Sequence, residues 1–162
     1  MYFAGVGSRE TPIELKPIIE SIVEILNKKG WILRSGGANG ADIMFEFLAE
    51  RKEIYLPWKG FNNNPSIMFG YTKEAENIAR KFHPKFDKLS KGAQACMARN
   101  SYQILGSNLD APVKCVICYT PTGKATGGTG QAIRIAKAYN IPIFNLKNIG
   151  VYEELMQFIT LS

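Results

Sequence analysis

No stretch of this 162-residue sequence carries the roughly 20 consecutive apolar residues needed to span a bilayer. The opening Met1-Tyr2-Phe3-Ala4-Gly5 has neither the basic segment nor the long apolar stretch of a secretory signal. A soluble, cytoplasmic protein with no membrane partner is therefore expected. Histidine is nearly absent. His83 stands alone, and one imidazole without carboxylate or thiolate helpers at suitable spacing does not build a metal site. It is left with acid–base duty or a structural place at the His83-Pro84 helix end. Cysteine is scarce too: three residues are too few for a disulfide framework. Cys115 and Cys118 form a C-x-x-C, which invites a zinc or redox reading. They lie, however, in a strand-like run from Val113 to Tyr119, where residues three apart point to opposite faces. The two thiols should not meet, and Cys96 should pack in a helix. Internal repeats, low-complexity tracts and linkers are also missing, and the length suits one domain with one core, residues 1–162.

What is present is ordinary globular composition with a positive balance. Apolar residues make up 46%, charged residues 21%, and the formal net charge is +6. The charge suits an anionic ligand and would also suit nucleic acid. It is spread out, with one modest cluster from Arg80 to Lys91.

Strand-like and helix-like segments alternate. Met1 to Val6 reads as a strand, followed by Thr11-Pro12-Ile13-Glu14, which has the form of a capping box with proline at the first helical position. Ile18, Ile19, Ile22, Val23 and Leu26 then fall at helical spacing, stopped by Gly30. Trp31 to Arg34 is a second strand, followed by a helix through about Arg51, and Glu53 to Leu56 is a third. The asparagine run before Pro65 is a loop, and helices are expected over 72–82 and 91–105. Val113 to Tyr119 is the most apolar strand. A helix over 131–139, a strand over 141–144 and a helix over 151–159 follow. This alternation predicts an α/β, Rossmann-like parallel sheet with helices on both faces. Ligands of such sheets bind beyond the carboxyl ends of the strands, where three glycine-rich loops should converge: 5–9, 35–42 and 120–130.

Each loop offers candidate ligand contacts. Gly127-Gly128-Thr129-Gly130 leads into a helix, so unpaired N–H groups, the helix dipole and the Thr129 hydroxyl suit a phosphate, although the loop matches neither the Walker nor the dinucleotide pattern. In the second loop, Ser35, Gly36, Gly37 and Asn39 precede Asp42. Asp42 serves either the helix N-terminus or a ligand hydroxyl, and Glu46 lies one turn further along the same helix face. The first loop brings Gly7, Ser8 and Arg9, whose guanidinium fork suits an anion. Arg99-Asn100 can turn inward from the helical middle region, and Thr120 and Gln131 flank the last loop. Trp58 either stacks on a base or covers the core.

Together, Gly5-Val6-Gly7-Ser8-Arg9, the Ser35–Asp42 loop, Leu56-Pro57-Trp58, Ala98-Arg99-Asn100 and Gly127-Gly128-Thr129-Gly130 resemble the SLOG superfamily. That superfamily of Rossmann-like nucleotide-binding domains includes the LOG phosphoribohydrolases and DNA-processing protein A, and the order of motifs is most similar to its YspA-like branch. Small stand-alone members are frequent in bacteria and bacteriophages. The resemblance implies a nucleotide pocket with phosphate at the GGTG turn and, as SLOG relatives are often oligomeric, a homodimer or larger homo-oligomer. No metal and no cofactor is expected. It leaves catalysis open, because the glutamate of the LOG pattern PGGxGTxxE falls here on Ile133 or Arg134. A hydrolase acting on nucleoside 5′-monophosphates would then need Glu46 or Asp42 as its carboxylate, assisted by Arg99. The expected function is binding of a phosphorylated nucleotide-like small molecule by a sensor or sequestering protein. An N-glycosidase and a single-stranded DNA-binding module are the alternatives.

Overall fold

The computed structural model describes residues 1–162. Five strands form one parallel sheet: β1 (Tyr2–Gly7), β2 (Ile32–Ser35), β3 (Lys52–Ile54), β4 (Cys115–Tyr119) and β5 (Ile143–Asn145). Six helices accompany them: α1 (Lys16–Lys28), α2 (Ala41–Leu48), α3 (Lys73–Phe82), α4 (Lys91–Leu105), α5 (Gly127–Ala138) and α6 (Val151–Thr160). The strand order is β3-β2-β1-β4-β5. The chain thus builds outward from β1 on one side, returns to the other side at β4, and leaves a crevice between β1 and β4 where the order reverses. This is the Rossmann-like architecture that the alternation predicts.

The core explains the layering. Ile19, Ile22, Val23 and Leu26 of α1, Phe45 of α2 and Leu155 and Ile159 of α6 pack on one face of the sheet. Ile104 and Leu105 of α4 and Ala132, Ile133, Ile135 and Ala136 of α5 pack on the other. β4 is buried along its whole length, as a central parallel strand with helices on both faces should be. Cys115 belongs to the first face and Cys118 to the second, so the C-x-x-C is divided by the sheet. Burial pushes both thiols up to about 12. His83 ends α3, where its Nδ1 accepts from Lys85 N at 3.1 Å. No helix is long and apolar enough to cross a membrane.

Two local expectations are corrected. Thr11 does not cap a helix: its hydroxyl donates to Ser8 O at 2.5 Å, closing the turn after β1. A single 3-10 turn over Ile13–Leu15 intervenes, and α1 begins at Lys16 with Pro17 in its first turn. The last long helix also starts earlier than its apolar pattern suggests. α5 takes in all of Gly127-Gly128-Thr129-Gly130, so these residues are its first turn rather than a loop before it.

α2 packs tightly on β1. A Cβ on Gly5 would stand 2.5 Å from Phe45 Cγ and 2.8 Å from Leu33 Cδ1. Phe45 and Leu33 are fully buried and cannot retreat. Gly5→Ala is expected to destabilise the fold by about 1–3 kcal/mol in urea unfolding, as overpacking of a tight core does.

Candidate functional site

The strand-end loops converge on a cavity of about 540 Å³ at the carboxyl side of the sheet, above the crevice between β1 and β4. Gly7, Ser8 and Arg9 line it from β1, Asp42 from the start of α2, Arg99 and Asn100 from α4, and Gly128 and Thr129 from α5. Its long wall is one face of α4, where Ala93, Cys96, Met97, Asn100 and Gln103 recur at spacings of three and four. Cys96 sits half-buried in this wall.

The anion-binding potential is concentrated at α5. Thr126 occupies the N-cap without a side-chain bond to the helix; its hydroxyl pairs instead with that of Thr122 at 3.1 Å. The first N–H of the helix to find a partner is that of Gly130, which donates to Thr126 O at 2.9 Å. The N–H groups of Gly127, Gly128 and Thr129 therefore remain free at the cavity mouth, at the positive end of the helix dipole. The glycines differ in what they do. Gly127 has φ +63°, a conformation that L side chains rarely adopt. A Cβ on Gly130 would come within 2.7 Å of the Ala125 carbonyl carbon, whereas one on Gly128 would meet only Met97 Cε at 3.5 Å. Gly130 thus serves the packing of the turn, and Gly128 leaves open space over the cavity.

The polar base of the site is built from α2 and α4. Asp42 is 4% exposed; its Oδ1 accepts from Gly7 N at 3.1 Å and its Oδ2 from Ala38 N at 3.4 Å. Burial pushes its carboxyl up to about 6, against the opposing pull of Arg99 and of the backbone N–H groups of Ala38, Gly7 and Gly36. Arg99 is 5% exposed, and burial lowers its pKa while Asp42 opposes the shift. Its Nη1 donates to the carbonyls of Gly36 and Tyr55, and its Nε to Asn100 Oδ1 at 3.0 Å. Asn100 Nδ2 continues the chain to Gly128 O at 3.1 Å. Arg99 also lies 5.6 Å from the ring centre of Phe61, which lines the cavity and meets Trp58 edge to face at 5.2 Å.

Several candidates fall outside the lining. Ser35 donates to Gly5 O at 2.6 Å, and Thr120 bonds Lys124 O and Asn145, so both brace strand ends. Asn39 accepts from Asn62, and Gly37 O accepts from the same amide. Gly36 lies against the side chains of Arg99 and Gln103. Glu46 shares a helix face with Asp42, but a turn further along it reaches Asn64, whose Nδ2 donates to both carboxylate oxygens at 3.0 and 2.9 Å. Gln131 is fully buried and turns away to Ala79 O. Trp58, 45% exposed, covers Phe61 from outside. Arg80, the head of the basic cluster, is paired with Asp87 and Glu76. Conversely, Glu10, Phe61, Cys96, Met97 and Gln103 line the cavity without being marked by any glycine-rich motif. Only the helical spacing of 96, 99, 100 and 103 around Arg99-Asn100 could have signalled part of this group. No cluster of three or more His, Cys, Asp or Glu side chains comes together as a metal site.

No protein-family model and no curated protein matches this chain. Its fold is similar to a solved structure of DNA processing protein A from Helicobacter pylori, a protein that binds single-stranded DNA, at a TM-score of 0.62. The match covers 99% of this chain and 79% of that one at 21% sequence identity, a likeness of fold.

The raised pKa of Asp42 links stability to pH. A carboxyl that holds its proton more tightly in the folded chain, at about 6 against an ordinary 3.8, favours folding below pH 4, and that contribution is lost as the pH rises through 6. Between pH 4 and 7, the stability of the natural chain relative to Asp42→Asn should fall by on the order of 2–3 kcal/mol in denaturant titrations.

Proposed function

We propose that this chain binds a nucleoside phosphate, or a ligand derived from one, in the strand-end cavity, as a sensor or sequestering protein. The observation that carries this reading is the uncapped first turn of α5, whose three free N–H groups open onto the cavity at Gly127, Gly128 and Thr129. A phosphate there would complete the donors and meet the helix dipole. Arg9, exposed in the lining after β1, adds a positive charge. The cavity is of the size that takes a small molecule and sits at the switch point of the sheet.

Binding without hydrolysis is the favoured form. The residues at the glutamate position of the LOG pattern are an isoleucine buried in the core and an arginine bonded to Phe82 O. Glu46 is held by Asn64 away from the cavity. Asp42 does line it, with both oxygens engaged by backbone donors, and is the buried carboxylate that an N-glycosidase could place near a sugar; Glu10, also in the lining, is exposed. The fold likeness to DNA processing protein A, together with the net charge of +6, supports single-stranded DNA as a second partner class.

Titration with a panel of ribo- and deoxyribonucleoside 5′-monophosphates, with chromatography for free base, separates these readings. Binding of one nucleotide class without base release is expected; base release would establish a glycosidase instead. Retention of single-stranded DNA at moderate salt, without nucleotide binding, would favour the DNA-binding module. Gly128→Leu should weaken nucleotide binding at least tenfold, equivalent to about 1.4 kcal/mol. Its melting temperature should stay near that of the natural chain, because space is open at this position.

A further inference from the structure

Gln103 is out of place by the ordinary rules of protein interiors. It lies in the last turns of α4 and is only 2% exposed. Buried carboxamides almost always find partners. This one makes no hydrogen bond within the protein, yet no polar side-chain atom of the protein is both fully sealed and unpartnered. Its amide therefore opens onto the cavity that it lines. Space has been cleared for it: a Cβ on Gly36 would collide with Gln103 Nε2 and with Arg99 Nη1. The glycine after β2 thus makes room for a polar group that nothing in the chain satisfies.

Its distance from α5 is informative. Gln103 lies against the end of β2, whereas the free N–H groups follow β4. Asn100, one turn earlier on α4, donates to Gly128 O, so Gln103 stands about 5 Å of helix rise beyond the start of α5. A ribose between a phosphate and a base covers such a span. Phe61, at the same end, offers an aromatic face on which any base can stack. Stacking carries little preference among bases, whereas a carboxamide presents one acceptor beside donors and reads a base edge bidentately.

We propose that Gln103 is the base-selecting residue of this site, its carboxamide pairing with the polar edge of a nucleobase whose phosphate rests on the first turn of α5. The proposal rests on the nucleotide reading of the cavity and adds to it a specificity determinant.

The test compares ribose 5-phosphate with the four common nucleoside 5′-monophosphates by calorimetry, on the natural chain, Gln103→Leu and Gln103→Glu. The natural chain should bind its preferred nucleotide at least tenfold more tightly than ribose 5-phosphate. Gln103→Leu should reduce that ratio to within about threefold and leave the ribose 5-phosphate affinity unchanged. Gln103→Glu, nearly isosteric and able to carry the test if the leucine variant does not fold, replaces the donor with an acceptor and should reorder the four bases. An unchanged ratio and order in both variants, or equal affinity of the natural chain for nucleotide and sugar phosphate, overturns the assignment of Gln103 while sparing the phosphate site. If no phosphorylated ligand binds the natural chain, the nucleotide reading itself falls, and this inference with it.

Discussion

The cavity depends on the placement of one guanidinium. Arg99 is withdrawn from solvent in the middle of α4, and its donors bind the carbonyls of Gly36 after β2 and Tyr55 after β3. Through Asn100 the same helix reaches Gly128 at the start of α5. Three elements far apart in sequence are thereby held to a single helix. Asp42 supplies the complementary fastening, tying the end of β1 to the loop after β2 through Gly7 and Ala38. Neither side chain is relieved of its burial by direct pairing, since no ion pair within 4 Å joins them. Their neighbourhood is polar because backbone groups face them. A buried charge that loses such partners is strongly destabilising, so these contacts are the ones that the loop geometry can least do without.

Much of the fold is legible in the sequence because its signals are local. The apolar spacing of Ile19, Ile22, Val23 and Leu26 determines a helix face, and the unbroken apolar run of β4 marks a strand covered on both sides. The division of Cys115 from Cys118 follows from strand geometry alone. Misreadings arise where a local signal has a competing partner. Thr11 has the chemistry of a helix cap, but the turn that follows takes Pro12 as its N-cap, and the Thr11 hydroxyl donates to Ser8 O instead. The first turn of α5 is all glycine and threonine, so no apolar period announces it, and its helical course comes from packing against Ala125 and α4.

The site is legible by halves for the same reason. Its loops are marked by glycines, and the convergence of 5–9, 35–42 and 120–130 follows from the parallel topology. Individual side chains are another matter. Asp42 and Glu46 lie on one helix face by spacing, yet one turn is about 5 Å of rise, enough to carry the second carboxylate out to Asn64. Ser35, Thr120 and Gln131 have polar groups suited to a ligand, and each spends them on the chain itself. Gln103 is the reverse case. A glutamine in a helix reads as a solvated face until the packing of α4 against Gly36 is known.

The architecture also separates two tasks along different structural supports. The first turn of α5 depends on Gly127, for its positive φ, and on Gly130, for its close contact with Ala125, and these two positions can hardly vary without loss of its form. In the wall that α4 presents, Ala93, Cys96, Met97 and Gln103 take no part in the side-chain hydrogen bonds that hold the loops, which fall to Arg99 and Asn100. The start of α5 is thus fixed by backbone geometry, whereas those four positions on α4 are open to change by drift without loosening the loops.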